Sequence, residues 1–360
     1  MKVRAAWLHR TDIEAWWPST HSLAREAVAR EFGSRVQTAY SDRLRSDQEW
    51  EQAARTYCED GFDIVYACDL TVGELVLQLA NQYPGTRFEH CQGRELRANV
   101  GTYRAARDEH AYVSGLLAGA ATSTGLLAVV EGSGPPHDLL FTNAWALGVG
   151  VSNPTARIVS RWLGTYHADD QDAREQLVVA ELAELGVDVF GGNLTENPAV
   201  VLSAAEHGCH ATAHDRRLAD HPMVLDAALL DWSSHYLHSV AAVIEGRWRP
   251  RHAYLRYRDG GVANSTPAAW LDAAAVARAL AAAAALRTGR NAIWDGPLYD
   301  NTGRLRVAAN ATLGGDCELN PPAGWSAAEA YLNSDRMNWL APNIGGQRPQ
   351  LEAKEARRDG

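Results

Sequence analysis

The sequence predicts an α/β protein built from two Rossmann-like units, on three observations. Short apolar β runs alternate with helical runs along most of the chain. The alternation starts afresh at Gly125, so the same pattern is laid down twice. Helical runs stop where Gly, Pro or Asn would stop them, at Gly61, at Tyr83-Pro84-Gly85 and at Asn153-Pro154.

In the first unit, residues 3–8 read as a strand, 23–32 as a helix and 35–40 as a second strand. A helix over 48–59 and a buried apolar strand over 63–68 complete a βαβ pattern. The spacing then predicts a helix over 73–82, strands over 87–90 and 100–103, and an Ala/Gly/Leu-rich helix over 109–122. The second unit opens with Leu126-Leu127-Ala128-Val129-Val130 and a helix ending near Asn153-Pro154. Strands over 157–162, 187–191 and 209–214 follow, alternating with helices over 170–185 and 197–207. A strand over 224–232, a helix over 233–245 and an Ala-rich helix over 270–287 are too little for a third domain and are expected to cross back between the units. Lobe one is therefore expected to hold 1–122 plus about 224–262, lobe two 123–223 plus about 263–346, with 347–360 a tail. Ligands of open α/β sheets sit outside the carboxyl ends of the strands, which puts the expected site in a cleft between lobes.

Composition narrows the function. With 46% hydrophobic and 22% charged residues the chain is of ordinary globular type. A net charge of -10 argues against nucleic acid or anionic lipid as partner, because such binding needs Lys/Arg to neutralise phosphates. Five scattered cysteines, Cys58, Cys68, Cys91, Cys209 and Cys317, make no disulfide framework and no Cys-x-x-Cys pair. The start carries no signal-peptide h-region, which predicts a cytoplasmic protein, or one at the cell surface or in the periplasm if a leader has been removed. No apolar run is long enough for membrane insertion.

Neither a Walker loop, a Gly-x-Gly-x-x-Gly, a Gly-x-Ser-x-Gly nor a His-Glu-x-x-His motif is present. The His207/Cys209/His210/His214 cluster is metal-like in composition, but on a strand His210 and His214 stand ~13 Å apart at ~3.3 Å per residue. No metal and no cofactor are expected. Twelve tryptophans against five phenylalanines stand out, and several fall at strand ends: Trp16 and Trp17, Trp162 with Tyr166, and Trp232. Such rings stack on a flat base or a cation, about 1–3 kcal/mol per stack, or else pack the core. Carboxylates fall in similar places: Asp69, Glu196, Asp215 and Asp231. Each suits a sugar diol or a protonated nitrogen, and Asp69 and Asp215 equally suit helix N-caps.

Phe88-Glu89-His90, Asn99-Val100-Gly101-Thr102-Tyr103, Gly115 with Gly119, Asn143-Ala144, Gly186-Val187-Asp188-Val189, His214-Asp215, Gly246-Arg247-Trp248 and Asp300 with Gly303 and Arg306 stand in an order and spacing that resembles the basic membrane protein family. These are nucleoside-binding lipoproteins that feed ABC importers, and the likeness runs from Lys2 to about Gly346. The resemblance implies a type I periplasmic-binding-protein fold, two Rossmann-like lobes around a ligand cleft, with a nucleoside held by ring stacking. Carried over by position, the aromatic-Asn pair after strand one falls on Trp17-Pro18, an aromatic on Tyr166, Thr-Asp on Thr195-Glu196 and the ribose-binding aspartate on Asp215. Pro18 in place of Asn donates nothing, Arg217 stands where a second aspartate is usual, Asp69-Leu70-Thr71 replaces a small-aromatic-Gly motif, and 314–333 looks inserted.

The candidate ligand-binding set is Trp16, Trp17, Asp69, Asn143, Trp162, Tyr166, Glu196, Asp215, Asp231 and Trp232. The expected function is binding of a nucleoside-like aromatic small molecule, with an ABC importer permease as partner if the protein is exported. The alternatives are a cytoplasmic enzyme on the same fold and an intracellular ligand sensor.

Overall fold

The structure is a computed structural model that describes residues 2–132, 136–164, 168, 170–191, 198–314 and 336–345. The chain forms two compact units, Met1–Ala106 with Leu230–Val262, and Arg107–Leu229 with Ala263–Gly360.

The first unit begins with β1 (Val3–Leu8), α1 (Trp16–Phe32), β2 (Val36–Ser41), α2 (Asp47–Glu59), β3 (Ile64–Ala67), α3 (Gly73–Gln82), β4 (Arg87–Cys91) and β5 (Val100–Ala105). α1 starts seven residues before the expected 23. Pro18 is the reason: in the first turn the N–H groups have no intrahelical acceptor, so a proline that would break a helix interior is tolerated there. α2 is opened by a capping box, Ser46 Oγ accepting from Glu49 N at 3.1 Å and Glu49 Oε2 accepting from Ser46 N at 2.8 Å.

The second unit holds α4 (Arg107–Ala121), β6 (Leu126–Glu131), α5 (Pro136–Ser152), β7 (Arg157–Trp162), α6 (Gln171–Glu184), β8 (Val189–Gly191), α7 (Ala199–Glu206), β9 (His210–Ala213) and β10 (Val224–Leu230). The chain returns to the first unit for α8 (Ser233–Ile244) and β11 (His252–Leu255), and β12 (Val262–Asn264) leads back to the second with α9 (Ala273–Arg287), the β13 (Leu298–Tyr299) and β14 (Leu305–Val307) hairpin, and β15 (Ile344–Gly345). The two units divide at 106/107 and 229/230, where the sequence alone places the divisions at 122 and about 224. α4 belongs with α5 because their backbones touch: a Cβ on Gly115 would lie 2.1 Å from Trp145 O, and one on Gly148 2.4 Å from Tyr112 O. β10 belongs with β9, its parallel partner.

The first sheet runs β11-β5-β4-β3-β1-β2 and is parallel throughout. The second runs β12-β10-β9-β8-β6-β7-β15. Its stretch β7-β6-β8-β9-β10 repeats the order β2-β1-β3-β4-β5, so each unit changes strand direction of travel at one place, between β1 and β3 and between β6 and β8. Each sheet carries its own apolar core, with Trp50, Val76, Leu79 and Phe88 in the first and Val179, Leu182, Phe190 and Val200 in the second.

Most of the family-like motifs are architectural. Glu89 is buried and accepts Trp248 Nε1 at 2.9 Å, with His235 Nε2 at 3.5 Å from its other oxygen. Asn99 Nδ2 donates to Ala80 O, Tyr83 O and Thr86 O at 3.0, 3.3 and 2.9 Å, closing the turn after α3. Asp188 takes Thr122 Oγ1 at 2.6 Å and the Ser123 and Thr124 N–H groups at 2.6 and 3.0 Å. Asp300 gathers Thr302 N, Thr302 Oγ1, Arg304 N and Arg306 Nε between 2.6 and 3.0 Å, and these hydrogen bonds hold its carboxyl well below the usual carboxylate range. The segment 314–333, apart from Gly314, and the tail 347–360 lie outside the described residues.

Candidate functional site

In a doubly wound sheet the crevice for a ligand opens at the carboxyl ends of the two strands where the order reverses. In the first unit these are the ends of β1 and β3, which lead into His9 and into Cys68-Asp69. Trp17 is pinned there: its Nε1 donates to Cys68 O at 2.7 Å, which fixes the first turn of α1 over the end of β3. Trp16 packs beside it, the ring centroids 5.6 Å apart. Four residues on, one helical turn along the same face, His21 lies edge-on to Trp17 at 5.1 Å.

Trp232 is buried and packed against its neighbours on several sides. One face is stacked on His21 at 4.9 Å with an interplanar angle of 6°, its edge meets Trp17 and Tyr103, and its Nε1 donates to Thr20 Oγ1 at 2.9 Å. Beneath it a chain of polar atoms runs from His21 Nδ1 to Tyr236 Oη at 2.5 Å and on to Tyr103 Oη at 2.8 Å. Burial pushes His9 down to about 3 and His21 well below the usual imidazole range, so both rings are neutral. Asp69 and Asp231 take the capping role: Asp69 Oδ1 accepts Thr71 N at 2.8 Å and Thr71 Oγ1 at 2.5 Å, and Asp231 Oδ1 accepts Ser233 N at 2.8 Å.

In the second unit the reversal lies at the ends of β6 and β8. Glu131 closes β6, is fully buried and accepts the Thr142 hydroxyl. Trp162, half-buried, ends β7 in register with Glu131. One strand further on, Asp215 follows β9. It caps the turn 216–218 through Arg217 N at 2.8 Å, and the Arg217 side chain grips the same carboxylate, Nε at 3.0 and 2.9 Å from its two oxygens and Nη2 at 2.5 Å from Oδ2. Asn143 clamps a backbone segment. It is fully buried, its Nδ2 donates to Trp339 O at 2.7 Å and its Oδ1 accepts Ala341 N at 2.7 Å, which uses the amide on both sides. Tyr166 and Glu196 lie outside the described residues.

His9 and His21 were not among the expected site residues. Their signals were present: His9 directly follows the first strand, and His21 is one turn from Trp17 on an amphipathic helix. Among the described residues no group of three or more His, Cys, Asp or Glu could hold a metal ion, and no helix is long and apolar enough to cross a membrane.

Comparison with known proteins bears on this geometry. The family model described as "ABC transporter substrate-binding protein PnrA-like" matches residues 14–267. A Haloferax volcanii protein whose name assigns it to glucose binding for an ABC transporter is 26% identical over 249 residues, 68% of this chain. A purine-binding protein of Brucella abortus is 22% identical over 246 residues, also 68% of this chain. The matched region is 62% of the Haloferax protein, under two thirds of its length, and 69% of the Brucella protein. Among solved structures, an ABC transporter solute-binding protein from Conexibacter woesei superposes with a TM-score of 0.64 at 18% identity, covering 80% of this chain and 97% of that one. A transcriptional activator of the comK gene from Bacillus halodurans gives 0.67 at 17%, covering 80% and 98%. The fold is therefore the type I fold of periplasmic solute-binding proteins, and with the family model spanning most of the chain, the protein belongs to the Bmp family of PnrA-like ABC transporter substrate-binding proteins.

Proposed function

We propose that the protein is a solute-binding protein whose ligand is a nucleoside or nucleoside-like aromatic small molecule. The observation that carries this reading is the family match over residues 14–267, supported by the likeness to the purine-binding Brucella protein. The chemistry of the strand ends agrees with it. In the first unit Trp17 is an aromatic ring held at the end of β3 by Cys68 O and buried beside Trp16 and His21, and in the second unit Asp215 with Arg217 is a polar, charge-paired group at the end of β9. In this role the protein acts outside the cytoplasmic membrane and delivers its ligand to an ABC importer permease.

A hexose is the second reading, favoured by the Haloferax relative. Sensing is a further one, since a fold shared with a transcriptional activator serves signalling as well as uptake. Titration calorimetry of purified protein with purine nucleosides, pyrimidine nucleosides, free bases and glucose separates these. Saturable binding of a nucleoside with none of glucose is expected. Saturable binding of glucose alone overturns the nucleoside reading, and steady conversion of a bound nucleoside replaces the binding protein with the enzyme.

A further inference from the structure

Two of the scattered cysteines meet in the first sheet. β3 and β4 are parallel neighbours with Tyr66 opposite Glu89 and Ala67 opposite His90, so one residue further the same register sets Cys68 opposite Cys91. Their side chains share a face. Side chains alternate along a strand, and Tyr66 and Glu89, two residues back, both turn toward α8, where they meet Tyr236 and His235. Tyr103, opposite Cys91 on β5, completes the row. Its hydroxyl lies 3.7 Å from Cys68 Sγ, and the Tyr236 hydroxyl lies 3.8 Å from the same sulfur. Neighbouring strands stand about 4.8 Å apart, inside the range of roughly 4.4–6.8 Å that a disulfide spans between Cα atoms. Cys68 is 1% exposed and Cys91 0%, and both thiols are free.

We propose that Cys68 and Cys91 are a disulfide site, closed as the chain folds in an oxidising setting and stapling the ends of β3 and β4. The step is thiol–disulfide exchange with a small disulfide such as oxidised glutathione. One cysteine thiolate attacks the small disulfide, forming a mixed disulfide and releasing one small thiolate. The second cysteine thiolate attacks the protein sulfur of that mixed disulfide and releases the other. The two cysteines lose two electrons, the small disulfide gains them, and the two cysteine protons end on the two small thiols. Timing follows from chain order, because the face that carries both sulfurs is covered by α8, which comes after residues 107–229 in the chain. Once covered, burial pushes the Cys68 thiol up to about 12 and Cys91 well above the usual thiol range, so neither supplies the thiolate that exchange needs. The covered pair keeps the state in which it was folded. The staple also bears on the candidate site, because Cys68 O is the anchor of Trp17 Nε1. The proposal is independent of which ligand is bound, and shares with the proposed function only the oxidising setting outside the cytoplasmic membrane.

The test refolds unfolded, reduced protein in parallel in a glutathione redox buffer and in dithiothreitol. Each sample is denatured in an alkylating agent, digested without reduction and mapped by mass spectrometry. Linked peptides carrying Cys68 and Cys91 are expected from the glutathione sample, and separately alkylated ones from the dithiothreitol sample. The oxidised protein should also unfold at a higher urea concentration than the reduced one, a difference that vanishes in Cys91→Ala. Separately alkylated Cys68 and Cys91 in the glutathione sample overturn the proposal, and so does linkage of either one to Cys58, Cys209 or Cys317. A linked protein that unfolds at the same or a lower urea concentration than the reduced one overturns the staple.

Discussion

Asn143 spends both amide atoms on the backbone of residues 339 and 341, from the middle of α5 and without exposure to solvent. Asn143→Ala removes two hydrogen bonds and leaves a buried carbonyl and a buried N–H without those partners, so a loss of about 2–4 kcal/mol is expected. Urea denaturation with an unchanged slope measures it, and ligand affinity in the folded variant stays as it was. Trp17→Phe keeps a ring over the end of β3 but gives up the bond to Cys68 O, a loss of about 1 kcal/mol in stability. Reduced ligand affinity in that variant, read by calorimetry, separates a binding ring from a packing one. The sequence showed which residues were unusual but not what each does. Asp69 and Asp231 were legible as carboxylates at strand ends and Asn143 as part of a family-like motif, yet their partners include backbone atoms, and backbone partners carry no signature in side-chain pattern. His21 and Tyr236 meet across 215 residues of chain, a pairing that only the parallel sheet and its packed helices create.

Helices α4 and α5 pack backbone to backbone through Gly115 and Gly148, which accounts for the small-residue spacing in the sequence. Gly148→Ala places a Cβ 2.4 Å from Tyr112 O, and separation of the helices is expected to cost about 1–3 kcal/mol. Gly150→Ala on the same helix is the control. Its Cβ would meet only Asn343 Nδ2 at 3.5 Å, so helix propensity leaves it neutral or stabilising by up to ~1 kcal/mol. Thermal denaturation of the two variants distinguishes close packing from propensity. Element order through α8 was legible because strands buried on both faces of a sheet read as continuous apolar runs. The short strands β11, β12 and β15 were not, since two to four residues hold too little pattern and are strands only by pairing with β5, β10 and β7.

For the molecule as a whole, buried titratable groups predict how stability follows pH. Burial pushes His9 to about 3 and His90 to about 4, so in the folded state both stay neutral below the ordinary imidazole value of 6.5. Their stabilisation is complete above pH 6.5 and is lost as pH falls toward 4 and then 3, because the unfolded chain binds the protons the fold refuses. Asp226 acts in the opposite sense. Burial raises it to about 6, against the hydrogen bonds from Ser114 Oγ at 2.8 Å and Asn264 Nδ2 at 2.7 Å. Its contribution is complete below the ordinary 3.8 and is lost as pH rises through 6. Two imidazoles outweigh one carboxyl, so the melting temperature is expected to fall between pH 6.5 and 4. Asp226→Asn should be more stable than the parent at pH 7, by up to about 3 kcal/mol, and should lose stability more steeply on acidification. At this scale the α/β class, the double unit and the family were all legible in the sequence. The boundary at 106/107 was not, since it depends on which sheet a helix packs against.

The central claim is that this chain holds a nucleoside-like solute, and native mass spectrometry of freshly purified protein tests it most directly. A mass increment on the folded protein, released by denaturation and identified as a nucleoside or nucleoside-like aromatic molecule, is the predicted result. A folded protein that carries no such increment and acquires none on incubation with nucleosides or nucleoside monophosphates would contradict it.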